Sequence, residues 1–391
     1  MSKSKARGVA TRLTQVGRDL GAAGVPVNPP VHRASTFVFP SLAALDEAWK
    51  TPFNGRLYGR NGTPTSTAFE AAIAEIEGGY GAVAASSGVA AIMAVFVAFV
   101  GQGEHALVPD SVYDIVRRCD TRMLKRMGIE LSYYDPLVGK GIAELIRPNT
   151  KLIYLESPGS GTFEIQDVPA IVEVAKARGI RTAIDNTWAT PLFFRPLELG
   201  VDAVVEAATK YIVGHSDAML GVVATTQDAF MPVRAAVQDM GSCAGTEEVN
   251  LGLRGLRTLD ARLVRHQASA IEVARWLSGQ PVVRKVLYPA LPGAPGHELW
   301  KRDFSGASGL MSFELPPLAE GALEAMVSGM SHFKLGYSWG GYESLILPVH
   351  TENRKVTPWT GGPLLRIHIG LEDVSDLIED LQAGLGRLTL S

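Results

Sequence analysis

Two stretches decide the fold: Ala183-Ile184-Asp185-Asn186 and, further along the chain, Ala207-Ala208-Thr209-Lys210. The first closes a short apolar run, Thr182–Ile184, with a carboxylate. The second follows another apolar run, Ala203–Val205, and ends in an amine. Two more such runs, His105–Pro109 and Leu152–Leu155, stand upstream, and a helical pattern, Val168–Arg178, lies between. Near-continuous apolar runs separated by helices read as parallel strands covered on both faces. The expected class is therefore α/β, a mostly parallel central sheet flanked by helices. A long helical region, about Thr246–Gly279, leads into strands at Val282–Leu287, Gly309–Phe313 and Leu364–Ile369 and a last helix, Val374–Leu385. These suit a smaller C-terminal α+β unit. The expected division is an arm at 1–57, broken by Pro26, Pro29, Pro30 and Pro40, an α/β unit at 58–250 and the α+β unit at 251–391.

Thr67 and Glu70 have capping-box spacing, which predicts a helix from Thr67 to the glycine pair Gly78-Gly79. Ala82–Val100 carries no charge. It reads as a buried helix with a tight Ser-Ser-Gly turn, and no basic flank marks it as a membrane span. The 391 residues are 46% hydrophobic and 20% charged, an ordinary globular balance. Lys plus Arg number 37 against 40 Asp plus Glu, a net charge of −3. That balance gives no electrostatic reason to expect nucleic acid or an anionic membrane as partner. Cys119 and Cys243, far apart, provide neither a disulfide framework nor a thiolate zinc site, so no metal is expected. Few cysteines and a polar first twenty residues fit a cytoplasmic enzyme.

Three motifs carry little. Gly101–Ala106 fits a dinucleotide glycine pattern but precedes an apolar run instead of joining strand to helix. Gly336-Tyr337-Ser338-Trp339-Gly340 matches the GxSxG of serine hydrolases, with His368 downstream, but no helix follows it. Arg117, Arg118, Arg122, Lys125 and Arg126 read as a solvated helix face.

The strand-end pair is stronger. In open parallel sheets, ligands bind at the carboxyl edge. An Asp and a Lys at that edge suit pyridoxal phosphate (PLP), which needs a lysine for its Schiff base and a carboxylate at its ring nitrogen. Ser86-Ser87-Gly88-Val89 opens the apolar helix and offers an anion cradle, to which Thr209 could add a hydroxyl.

Longer motifs point the same way. Asp185–Ala189, Ala207–Asp217, Tyr58-Gly59-Arg60, Glu156–Gly159, Gly255–Leu259, Gly296–Phe304 and Leu365–Asp373 together resemble the Cys/Met-metabolism PLP enzymes, of fold type I in the aspartate aminotransferase superfamily. Tyr337–Leu345, and Ser160 where γ-acting members carry Asn, resemble the β-acting branch; Ser86–Ala91 looks more like the γ branch. The resemblance implies β-elimination of L-cystathionine, an amino-acid thioether, to homocysteine, pyruvate and ammonia. Alternatives on the same scaffold are γ-synthase or γ-lyase chemistry and β-cleavage of cysteine or its S-conjugates.

It also implies roles. Lys210 would form the Schiff base and then carry protons; Asp185 would pair with the ring nitrogen, and Tyr113 would stack on the ring. Gly88, Val89 and Thr209 would bind the phosphate, completed by Tyr58 and Arg60 of a neighbouring subunit within a homotetramer built from dimers. Arg366 would hold the substrate carboxylate with Ser338, and Tyr337 and Trp339 would wall the pocket. Trp188 reads as packing, His215 as structural and Cys243 as a loop thiol.

Overall fold

The computed structural model describes residues 8–18, 21 and 24–390; the rest of the expected arm lies outside the described residues. Seven strands form the large sheet: β1 (Gly81–Ala85), β2 (His105–Pro109), β3 (Glu130–Tyr134), β4 (Thr150–Glu156), β5 (Arg181–Asp185), β6 (Ala203–Glu206) and β7 (Gly221–Thr225). Their order is β1-β7-β6-β5-β4-β2-β3. The run from β6 to β3 is parallel, and β7 is antiparallel to both of its neighbours. Five strands form a second sheet: β8 (Lys285–Leu287), β9 (Leu310–Glu314), β10 (Lys334–Leu335), β11 (Leu345–Pro348) and β12 (Leu364–His368), ordered β10-β11-β12-β9-β8.

The sheet interior explains the apolar runs. β2 and β7 are buried at every position, and β4 at every position but Lys151. One core cluster joins Val83, Val108, Tyr154, Ala183 and Val205 to the helix Gly88–Phe99 on one face. The other face packs against helices Pro64–Glu77 and Val168–Ala177, in a core continuous with that of the second sheet.

Three local expectations are corrected. Ala82–Val100 is not one helix: β1 takes Gly81–Ala85, Ser87 caps the turn by accepting from the Ala90 N–H, and the helix runs Gly88–Phe99. A continuous apolar run does not itself distinguish strand from helix; pairing with β7 settles it. The first long helix starts at Pro64, not Thr67, with Thr63 and Ser66 as its capping box. Glu70 is unavailable for capping because both of its oxygens accept from the buried Arg234 guanidinium. The region 246–279 is two helices, Thr246–Leu256 and Leu259–Ser278. The closing helix spans Val374–Leu385, as its periodicity predicts.

A strap from the second sheet crosses to the large one. In the loop after β11, the backbone N–H groups of Lys355, Val356 and Thr357 donate to the buried Asp110 carboxylate, at 3.2, 2.8 and 2.7 Å. Asp110 also accepts from Arg117 at 2.6 Å. These bonds fix the turn after β2 that carries Tyr113.

Beneath the carboxyl edge lies a pair of buried acids. Glu77 ends its helix, Glu206 ends β6, and both are nearly inaccessible, at 0% and 2% exposure. The Glu77 carboxyl faces that of Glu206 and the Asn186 amide, so the two acids face each other in the interior. Burial pushes the Glu77 carboxyl up to about 7 and Glu206 well above the carboxylate range. A folded-state value raised above the unfolded one gives stability that is complete below the unfolded value and is lost as pH rises through the folded one. Glu77→Gln, which keeps the shape without the charge, should therefore raise the thermal midpoint at pH 8, by an amount corresponding to about 1–3 kcal/mol, and change it little at pH 4.5. Thermal unfolding at the two pH values checks this; an equal change at both would contradict it.

Candidate active site

Successive parallel strands deliver their last residues to one edge. β2 leads to Tyr113, β4 ends at Glu156, β5 at Asp185, and β6 leads through Ala207-Ala208-Thr209 to Lys210. In register, Glu156 stands beside Asp185 and Asp185 beside Val205. These residues line a cleft of about 190 Å³ with the start of the helix Gly88–Phe99 on one side. Ser338, Trp339 and Arg366, from the second sheet, close the other side.

Lys210 sits at the centre. Its Nζ donates to Ser338 Oγ at 2.7 Å and lies 5.3 Å from the centre of the Trp339 ring. Among the described residues it forms no salt bridge. Burial first, and the Arg366 charge second, push its amine down to about 8. Arg366, on β12, donates to the Ser338 carbonyl at 3.2 Å. Burial lowers its pKa too, and its guanidinium lies in the same cleft, with no ion-pair partner among the described residues.

The carboxylate side is equally enclosed. Asp185 Oδ1 accepts from the Thr187 N–H at 2.9 Å. Burial raises its carboxyl, a shift opposed by Thr187 and by Lys210. Thr187 Oγ1 accepts from the Ala207 N–H at 2.9 Å, which ties the Asp185 turn to the Lys210 turn. Glu156 accepts from the Tyr113 N–H at 2.8 Å, and its carboxyl is raised well above the usual range by burial and by Asp185. Tyr113 is partly exposed at the rim, its phenol raised by burial and by the Asp185 charge.

The third wall is an anion cradle. Gly88 and Val89 begin a helix, so their N–H groups have no partner within it. A Cβ at Gly88 would lie 2.6 Å from the Ala207 Cβ, so the helix start approaches the Lys210 turn only because Gly88 has no side chain. Thr209 Oγ1 is fixed between the Leu220 N–H, 2.9 Å, and the Leu220 carbonyl, 3.1 Å.

The structure thus brings together Gly88, Val89, Tyr113, Asp185, Thr209, Lys210, Tyr337, Ser338, Trp339 and Arg366. It does not bring Tyr58 and Arg60 there. They line a separate cleft with Gln238 and Cys243, and Arg60 donates to the Gln238 carbonyl at 3.2 Å. Thr187 and Glu156 enter as contributors that a reading of single residues misses; the strand-end signal that marks Asp185 marks Glu156 equally. Trp188 is buried and donates to the Leu310 carbonyl, 3.0 Å, while also lining the cleft. His215 turns to the Val213 carbonyl at 2.7 Å.

The residues present fit PLP. Among the described residues a lysine amine lies without a carboxylate contact, a buried carboxylate without a cation contact, and a helix start leaves two N–H groups for a phosphate. Among the described residues no cluster suited to a metal occurs.

Comparison with known proteins agrees. The profile of the family described as Cys/Met metabolism PLP-dependent enzyme matches residues 10–386. A putative cystathionine beta-lyase of Rhizobium johnstonii is 46% identical, over 96% of this chain and 96% of its own length. The cystathionine beta-lyase of Escherichia coli is 42% identical, over 97% and 98%. A solved cystathionine gamma synthase of Xanthomonas oryzae, in complex with cystathionine, superposes with a TM-score of 0.89 at 34% identity, covering 98% of this chain and 99% of that one. The fold is that of the type I PLP enzymes, and the chain belongs to the family of Cys/Met metabolism PLP-dependent enzymes.

Proposed function

We propose that the protein cleaves L-cystathionine by β-elimination, yielding homocysteine, pyruvate and ammonia. The observation that carries this is the Lys210 amine, held unpaired between Ser338, Asp185 and Arg366 with its pKa lowered to about 8. The β reading over the γ one is supported by the β-lyase relatives and by Tyr337–Leu345.

Bound PLP supplies an electron sink for the negative charge left when the substrate α-proton departs. Lys210 would hold the cofactor, and its Nζ, once free, would take that proton. A pKa near 8 leaves the freed amine a sizeable unprotonated fraction at neutral pH. Asp185, oriented by its Thr187 hydrogen bond, would pair with the ring nitrogen and keep it protonated. Gly88, Val89 and Thr209 would hold the phosphate, and Tyr113 would cover the ring. Arg366 takes the substrate carboxylate in a two-pronged grip. Ser338 steers Lys210, and Trp339 and Tyr337 wall the pocket. The β-carbon–sulfur bond then breaks and the thiolate leaves with the electron pair, to be protonated as homocysteine; the three-carbon enamine left behind takes up water to give pyruvate and ammonia.

Tyr58 and Arg60 complete the phosphate site of a neighbouring subunit, within a cytoplasmic homotetramer built from dimers. What supports this is their position in an open cleft away from Lys210, with Tyr58 47% exposed. In this reading residues 58–250 hold the cofactor, 251–391 hold the substrate side, and the arm contacts the neighbouring subunit, although its Leu13 and Val16 pack into the protein's own core.

Incubation with L-cystathionine should yield pyruvate and homocysteine, and Lys210→Ala should lower turnover by about 10³-fold or more. 2-Oxobutyrate with cysteine would place the enzyme in the γ branch. Subunit sharing is tested by mixing Lys210→Ala with Arg60→Ala chains. Hybrids should recover activity, since one site then carries neither substitution. Activity no greater than the sum of the two parents would contradict the shared site.

A further inference from the structure

The GxSxG stretch, set aside as a hydrolase motif, places its serine in the centre of the cleft. Ser338 has φ +81, a left-handed backbone that residues other than glycine keep only when their surroundings hold them there. Gly340, at φ +89, presses on the peptide after Lys210; a Cβ there would lie 2.9 Å from both Lys210 C and Tyr211 N. Beneath this turn lies His368, 1% exposed, two residues beyond Arg366 on β12.

His368 Nε2 stands 3.2 Å from the Gly340 N and 3.1 Å from the Gly341 carbonyl oxygen. Its Nδ1 lies 3.5 Å from the Tyr211 hydroxyl, which accepts from the Gly309 N–H at 3.0 Å. The titratable and charged groups facing it are His266, Tyr211, Arg366 and Lys210. Burial and the cationic neighbours push its imidazole down to about 3, so it is neutral. A neutral imidazole has one donor and one acceptor. One tautomer accepts the Gly340 N–H, and the other donates to the Gly341 carbonyl. Either ties the turn to the strand that carries Arg366. No hydrogen bond joins His368 to Ser338 Oγ, which takes its bond from Lys210; this is not the serine–histidine pair of a hydrolase.

We propose that His368 is a positioning residue: by holding the Gly340–Gly341 peptide from beneath, it keeps Ser338 in the left-handed conformation that sets its hydroxyl on the Lys210 amine and its carbonyl on Arg366. The inference rests on the reading that Lys210 and Ser338 serve the reaction.

The test compares the PLP-loaded His368→Asn, His368→Gln, Ser338→Ala and His368→Asn/Ser338→Ala variants with the unaltered enzyme. The Gln amide reaches where Nε2 lies; the Asn amide reaches only as far as Nδ1. His368→Asn should lower kcat on the order of tenfold, and His368→Gln by no more than about threefold. The pH midpoint of the visible absorption band should move in His368→Asn in the same direction as in Ser338→Ala, and stay in place in His368→Gln. Added to Ser338→Ala, His368→Asn should cost less than about twofold more, because both act through one contact. Equal losses in Asn and Gln with an unmoved midpoint, or full multiplication of the two effects, would overturn the positioning role alone. A Ser338→Ala enzyme identical to the unaltered one would overturn both this role and the reading of Ser338. Where His368→Asn does not fold, His368→Ser is also too short to reach the turn and takes its place in each comparison.

Discussion

The Lys210 amine, taken out of water and left without a carboxylate contact, is the constraint around which the rest is arranged. Burial of an ammonium is costly unless it is paired or its proton is released. Here the direct partner is a neutral hydroxyl, Ser338 Oγ, and the charge that acts on it most is the like charge of Arg366. Burial and the Arg366 charge work against the ammonium form and for the free amine, opposed by the Asp185 charge. Each wall of the cleft serves this. β6 ends so that Lys210 projects at the carboxyl edge, β12 brings Arg366 across, and the Ser338–Gly341 turn lies over the lysine with His368 under it.

The same logic governs the acids. Asp185 and Glu156 stand in register at adjacent strand ends, both enclosed, and among the described residues neither is joined to a cation by a salt bridge. Glu156 is pushed strongly toward its protonated form, which leaves Asp185 as the acid whose charge Lys210 supports. An enclosed carboxylate facing an open cleft suits a protonated ring nitrogen. Deeper down, Glu77 and Glu206 show that this edge tolerates further protonated acids.

The parallel strands were legible because runs such as Thr182–Ile184 and Ala203–Val205 are buried on both faces and so carry no alternation. Asp185 and Lys210 were legible because they interrupt those runs at the edge where ligands bind. The closing helix was legible from one apolar stripe, Leu377, Leu381 and Leu385. What escaped depends on distant partners. β1 hid inside Ala82–Val100 because its strand character comes from pairing with β7, far along the chain. Glu70 looked like a capping residue because Arg234, which claims it, is remote in sequence. Ser338 looked like part of a hydrolase motif because its contact with Lys210 spans the two sheets. Tyr58 and Arg60 carried no local signal, and only the family resemblance assigned them a place.

The most direct test of the central claim is the titration of the Lys210 amine itself. In protein freed of PLP, the pH dependence of its reaction with an amine-specific reagent, located by peptide mapping, reports that pKa. The account predicts a midpoint near 8, the value set by burial and by Arg366. A midpoint near 10.5, that of an ordinary solvated lysine, would contradict it.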